Sequence, residues 1–295
     1  PGTATQPFAT IQKAASVARA GDVVTIRSGT YRETIVPSSS GASGSPIIFQ
    51  AAPGAIPVIS GLNSADGGWT LHNGNIYKKS ITLPVNGHQN KITSTTTLLS
   101  NQIFKNGAMQ FEARWPKVSN MDDLFDRKKF RYIDDMQSFT ATSLTDNALP
   151  NVPGGLVGAK VWINGWYISA TRTVTSHSNK TIGYPTYSDN GSTGKKRRRY
   201  YYVTGKLGLL TQEKEWHYES GTLYYWQPGG GAPTGVEYKA RNWGFDLRGK
   251  SNISIIGLHF IGCEINADVA CSNTTIDGIR MSYQNHAVMQ EGNDV

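Results

Sequence analysis

The sequence predicts an all-β protein in which coils of a parallel β-helix are interrupted by a long insert. The segment Ser251 to Val295 repeats itself. Shifted by 21 residues, Ser251-Asn252-Ile253-Ser254-Ile255-Ile256-Gly257-Leu258-His259-Phe260 falls on Ser272-Asn273-Thr274-Thr275-Ile276-Asp277-Gly278-Ile279-Arg280-Met281, with Ser, Asn, Ile and Gly identical. A period of about 20 to 25 residues, built from short β-branched runs and an Asn or Gly turn, is the length of one coil. The opening segment carries similar short runs behind an amphipathic helix, and from Asn63 to about Gly235 no such period is visible.

Composition agrees with this class. Of 295 residues, 32 are glycine and 10% are aromatic, which suits many strands and many turns. The net charge of +8 comes from 29 basic and 21 acidic residues. Part of the excess is the run Lys195-Lys196-Arg197-Arg198-Arg199, which follows Gly191-Ser192-Thr193-Gly194 and reads as a solvated loop. A basic chain can meet nucleic acid, a membrane surface or an acidic polysaccharide. No zinc-finger, RRM-type or helix-turn-helix signature supports nucleic acid, and no apolar run approaches the ~18 residues of a membrane span. Cys263 and Cys271 are the only two cysteines, to be read either as a bond in an oxidising compartment or as two small hydrophobes. The chain starts at Pro1-Gly2 and stops within the repeat, so a processed or partial chain is expected, with further coils after Val295 and a strand before Pro1.

In chain order, apolar residues at Phe8, Ile11, Ala14, Ala15 and Ala18 have helical spacing, with Thr10 as N-cap and Gly21-Asp22 as the stop. Val23-Val24-Thr25-Ile26 follows as a strand, and Gly29-Thr30-Tyr31-Arg32-Glu33 turns into Thr34-Ile35-Val36. With Pro46-Ile47-Ile48-Phe49-Gln50-Ala51 and Pro57-Val58-Ile59-Ser60-Gly61, this opening resembles that of right-handed parallel β-helix proteins of the pectate-lyase-like superfamily. The resemblance implies that the helix caps the open end of the coil, where an apolar interior and an unpaired edge would otherwise be exposed.

The insert reads as short strands, among them Gln102 to Lys105, Ala159 to Ile163, Arg172 to Thr175 and Thr181-Ile182, with a charged, helical piece from Met121 to Met136. Tyr200-Tyr201-Tyr202 reads as strand with alternate faces buried. Ala113-Arg114-Trp115-Pro116, Glu215-Trp216-His217-Tyr218 and Leu223-Tyr224-Tyr225-Trp226 are together similar to bacterial β-helix glycoside hydrolases, including β-xylosidase and fucosidase-like families in which a sandwich interrupts the helix. The expected fold is therefore a right-handed parallel β-helix with an N-terminal capping helix and an inserted β-sandwich-like module. Its segments are 1–62, 63–235 and 236–295.

Several chemistries lack their signatures. Pro228-Gly229-Gly230-Gly231 has no following Lys to cradle a phosphate, the six histidines are scattered, and no G-x-S-x-G elbow is present. Neither a metal nor a cofactor is expected. Carboxylates and aromatics remain. In the repeat, Ile255/Ile276 and Leu258/Ile279 are expected to point in, and Ile256/Asp277 and His259/Arg280 to point out. Glycoside hydrolysis needs two carboxyl groups roughly 5 to 9 Å apart. Asp277, Glu291 and Asp294 are the nearest acids, against a reading in which Asp277 caps a turn and the other two are solvated. Arg280, Tyr283 and His286 are the matching substrate contacts. Trp162, Trp166, Trp216, Tyr224, Tyr225, Trp226 and Trp243 are either sugar platforms or sandwich core. Sequons at Asn179, Asn190, Asn252 and Asn273 matter only in a glycosylating pathway.

The expected function is a secreted or cell-surface glycoside hydrolase acting on a polysaccharide or oligosaccharide. A lyase on a uronate glycan is second, with Arg280 and His286 in reach. A non-catalytic, self-assembling β-helix is the third reading.

Overall fold

The computed structural model describes residues 2–84, 101–133, 138–164, 168–186, 199–284 and the backbone of 291–293. The described chain is mostly β with one short α-helix, and its sheets are both parallel and antiparallel. It divides into two compact units. One comprises Pro1–Ser64, Leu83–His88 and Glu237–His286, the other Ala65–Thr82, Gln89–Val236 and Ala287–Val295.

The first unit opens with the helix Ile11–Val17, which buries Ile11 and Ala15. Thr10 Oγ1 accepts from Lys13 N at 3.1 Å, as the sequence implies. The Glu33 carboxylate supplies a second cap, accepting from Ile11 N and Gln12 N at 2.9 Å each. The helix ends earlier than Gly21-Asp22: Ala18 turns extended, and Asp22 caps Arg19 N instead at 2.7 Å.

Behind the helix lie three parallel sheets that the chain visits in rotation. The first joins Val23–Ile26, Ile47–Ala51, Ile253–Ile256 and Thr275–Asp277. The second joins Gly29–Tyr31, Pro57–Ser60, His259–Ile261 and Arg280–Ser282. The third pairs Trp243–Asp246 with Glu264–Asn266, and Ile35 bridges in parallel to Phe245. Ile47, Phe49, Ile59, Phe245, Ile255, Leu258 and Phe260 fill the space enclosed, with Phe49 and Phe245 edge-to-face at 5.2 Å.

The pairing register reproduces the repeat. Ser254↔Thr275, Ile255↔Ile276 and His259↔Arg280 are each one repeat apart, and Ser272 Oγ donates to Ser251 Oγ at 2.9 Å. The recurring Asn and Gly have a backbone reason: Asn252 and Asn273 have φ of 55° and 52°, and Gly257 and Gly278 of 70° and 59°. Only Gly, and to a lesser degree Asn, enters this left-handed region readily. Of the residues expected to point inward, Ile255 and Leu258 are buried and Ile279 half-buried, but Ile276 is 46% exposed. Among the described residues its strand is the outer one of the first sheet, with one neighbouring strand beside it.

Leu62–Ser64 leaves the second sheet and pairs antiparallel with the returning strand, Leu62 opposite Lys239. Arg32 and Arg241 fasten this exit. Arg32 reaches Leu62 O at 3.0 Å and Glu237 Oε1 at 2.5 Å, and Arg241 reaches Ser60 O at 2.9 Å and Asn63 Oδ1 at 2.7 Å.

The second unit contains one larger antiparallel sheet of Arg114–Trp115, Arg199–Thr204, Lys160–Asn164, Ile168–Thr173 and Glu291–Asn293, with Arg131–Ile133 also paired to Arg199–Thr204. A second sheet orders Phe111–Glu112, Glu215–Glu219, Thr222–Trp226, Ile76–Ser80 and Thr70–Asn73. Val161, Ile163, Tyr201 and Val203 of the first share an apolar cluster with Ile76, Tyr224 and Trp226 of the second. The strand Arg199–Thr204 alternates buried and half-buried residues, the pattern expected for the three tyrosines.

Two expectations need correction here. The piece from Met121 is not an α-helix: it forms the 3₁₀ turns Asp122–Leu124 and Arg127–Lys129 and then the strand Arg131–Ile133, because its charges leave no continuous apolar face to bury. The basic run does not end as a solvated loop either. Arg199 begins a strand and is buried, its guanidinium 4.5 Å from the ring centre of Phe139, while 195–198 lie outside the described residues.

Candidate functional site

Asp277 ends its strand in the first sheet, and Arg280 begins its strand in the second, two residues beyond the left-handed Gly278. Both are exposed. In register, Asp277 follows Gln50 and Ile256, and Arg280 follows Val58 and His259. Each column thus becomes charged at its last strand. No hydrogen bond to a described residue engages the Asp277 carboxylate, so the turn there is set by Gly278 rather than by an Asp cap.

Tyr283 follows directly and is half-buried, with φ of 52°. One repeat earlier the same position is Gly262, with φ of 65°. A bulky residue held left-handed is an outlier of the kind that strained sites retain.

Glu291–Asn293 extends the antiparallel sheet of the second unit, with Glu291 opposite Ala170, instead of adding to the parallel sheets that carry Asp277. His286 and Asp294 lie outside the described residues.

A second group of ionisable residues, missed in the sequence, sits within the second unit. The three similarity motifs meet there: Ala113 N donates to Trp216 O at 2.7 Å, next to Glu112, which lies opposite Trp216, and Trp216 and His217 lie opposite Tyr225 and Tyr224. Glu215 is fully buried and held at both carboxylate oxygens by Lys117 Nζ, at 2.7 and 2.9 Å. Burial pushes the Glu215 carboxyl up, and Lys117 opposes the shift. Burial raises Glu112 to about 7, against the opposing influence of Thr204, Lys160 and Arg114. His217 is also buried, which lowers its pKa, with Glu219 Oε2 3.1 Å from Nε2. In the sequence, the alternation Phe111-Glu112-Ala113 and the run Glu215-Trp216-His217 were the available signal. They place acids beside core residues.

Aromatics divide between the two readings. Trp216 and Tyr225 are core, bonded to Gln110 through Nε1 at 3.2 Å and through the hydroxyl at 3.0 Å. Trp162, Tyr224, Trp226 and Trp243 are half-buried, and Trp166 lies outside the described residues. The cysteines are free thiols. Cys263 is buried, which raises its pKa to about 11, and Cys271 Sγ donates to Leu247 O at 2.9 Å. Among the described residues no group of three or more His, Cys, Asp or Glu is placed to hold a metal, and no helix is long and apolar enough to cross a membrane.

No family model matches the chain. A stretch of 65 residues, 22% of this chain and 14% of the relative, is 43% identical to the uncharacterized protein YwoF of Bacillus subtilis (strain 168). Among solved structures, a protein described as a glycoside hydrolase superposes with a TM-score of 0.60 and 16% identity, over 88% of this chain and 48% of its own. The complex of XylC with xylose gives a TM-score of 0.47 and 22% identity over 88% of this chain and 33% of that one. The chain thus spans about half of the first structure. At 16% identity that likeness shows a shared fold.

Proposed function

We propose that this chain belongs to a secreted glycoside hydrolase whose first unit is a right-handed parallel β-helix and whose second is a β-sandwich-like insert. The observation that carries the reading is the rotation through three parallel sheets, resumed after the insert, in a chain that superposes along 88% of its length on a glycoside hydrolase. The substrate is a polysaccharide or oligosaccharide. Asp277 is one member of the carboxyl pair such a reaction uses, one carboxyl protonating the leaving oxygen and the other attacking or activating water. Arg280, Tyr283 and His286 hold the sugar.

Two further readings have one observation each. Exposed Arg280 beside His259 in a basic chain favours a lyase, in which Arg neutralises a uronate carboxylate. Exposed Ile276 and Val269 favour a self-assembling structural protein. One panel separates all three. The hydrolase reading expects reducing sugar without ultraviolet absorbance from an unsaturated uronate. Absorbance supports the lyase, and ordered filaments with neither product support assembly. Secretion is tested by recovery of the native protein from culture medium.

A further inference from the structure

The larger sheet of the second unit carries a polar and aromatic face. Register places Trp162 between Tyr202 and Thr171, and Lys160 between Thr204 and Thr173, with Arg114 also opposite Thr204. The Trp162 and Tyr202 rings stack at 5.3 Å with 18° between planes, and Phe130 meets Trp162 edge-on at 5.3 Å and Tyr202 at a tilt at 5.7 Å. The Arg114 guanidinium lies 3.9 Å from the ring centre of Tyr202, and its Nε donates to Pro116 O at 3.1 Å. Arg114 is only 5% exposed, yet among the described residues its Nη2 has no hydrogen-bond partner, and neither has the buried hydroxyl of Thr171 across the strands.

A desolvated guanidinium donor without an acceptor is costly, and an anion repays that cost with a charge-assisted bond. Lys160 adds a second cation on the same face, its Nζ now on Thr173 Oγ1 at 2.9 Å. Half-buried indole beside unpaired polar groups matches a pyranose, which offers an apolar face and a polar rim.

We propose that this face binds an acidic oligosaccharide, Arg114 and Lys160 taking the carboxylate of a uronic-acid residue whose ring lies on Trp162. The site rests on the carbohydrate reading above and names its substrate class as an acidic glycan. Glu112 is the competing negative group, facing Thr204, Lys160, Arg114 and Tyr202. Burial keeps it protonated up to about 7, so the face gains positive charge as pH falls to about 6 while a uronate stays ionised.

The test is titration calorimetry of the 295-residue chain with oligogalacturonate and with a neutral cello-oligosaccharide of equal length, at pH of about 6 and 8 and at low and high salt. The expected result is binding of oligogalacturonate alone, weaker at the higher pH and in salt. Lys160→Gln and Trp162→Ala, each with an unchanged far-ultraviolet spectrum, should each lose roughly tenfold in affinity, or about 1.4 kcal/mol. Arg114→Lys should lose at least as much, and the half-buried Lys160 keeps the test readable if that variant fails to fold. Equal binding of both ligands, no binding of oligogalacturonate, or wild-type affinity in Lys160→Gln overturns the proposal. A chain that hydrolyses a neutral glycan but ignores oligogalacturonate fails here alone. One that binds oligogalacturonate through these residues yet releases no sugar from any glycan fails the hydrolase reading alone.

Discussion

Glu112 and Tyr283 are residues whose environments run against their chemistry. The Glu112 carboxyl is raised to about 7 by burial, so the folded chain holds a proton that the unfolded chain has released above about 4.5. Its contribution is therefore fully present below about 4.5 and is lost as pH rises toward 7. Glu112→Gln should flatten this part of the stability profile and raise the thermal midpoint at a pH of about 8, with little change at about 4. A fall at the higher pH would mean that the ionised form is the better paired one. His217 runs the other way: its lowered pKa makes stability decline as pH drops below about 6.5. At Tyr283, a left-handed backbone costs about 1 to 2 kcal/mol for a residue with Cβ, which offsets what the ring contributes by packing. Tyr283→Gly should thus leave the unfolding free energy within about 1 kcal/mol of wild type, and the proposal that its ring holds the sugar expects a raised KM. An unchanged KM would remove Tyr283 from the site. Neither residue's strain was legible in sequence, since a single Glu or Tyr does not announce its φ or its burial. Asn252 and Gly257 were legible, because their recurrence at Asn273 and Gly278 marks positions where backbone geometry restricts the choice.

Among elements, the ones read correctly are those whose signal is local. The helix Ile11–Val17 shows its period and its Thr10 cap within a dozen residues, and the strands of the repeat pair in the register that the repeat itself specifies. What escaped is long-range. Glu33, more than twenty residues from the two N–H groups it caps, has no sequence cue. Glu33→Ala should lower stability by about 1 to 2 kcal/mol in denaturant titration, as the loss of a cap does, and a change below about 0.3 kcal/mol would show that Thr10 alone suffices. The strand Glu291–Asn293 shows the same limit. Its position just after the repeat suggested another coil, but three extended residues take the edge they reach, which is the strand Ile168–Thr173. Charged, non-periodic 122–129 read as helix by composition, where only 3₁₀ turns capped by Asp126 and its neighbours form.

At the scale of the molecule, two units alternate along one chain, and the three parallel sheets close over residues on both sides of the insert. Ile47 and Ile253 are paired neighbours although about 200 residues separate them, and the repeat near the end together with the strands near the beginning was what made that legible. The candidate site was legible only in part. The outward pair Asp277 and Arg280 follows from the period, but its partner acid depends on where the chain runs after Gln284, and the buried cluster around Arg114 depends on contacts among strands far apart in sequence. The hydrolase reading therefore depends most on Asp277. The decisive measurement is the rate of reducing-sugar release by Asp277→Asn on whichever glycan the wild-type chain cleaves, with the thermal midpoint recorded alongside. Because Asp277 is exposed and its carboxylate makes no hydrogen bond to a described residue, the account predicts an unchanged midpoint and a kcat lower by at least about a hundredfold. A variant that folds as the wild type does and turns over at the wild-type rate would contradict it.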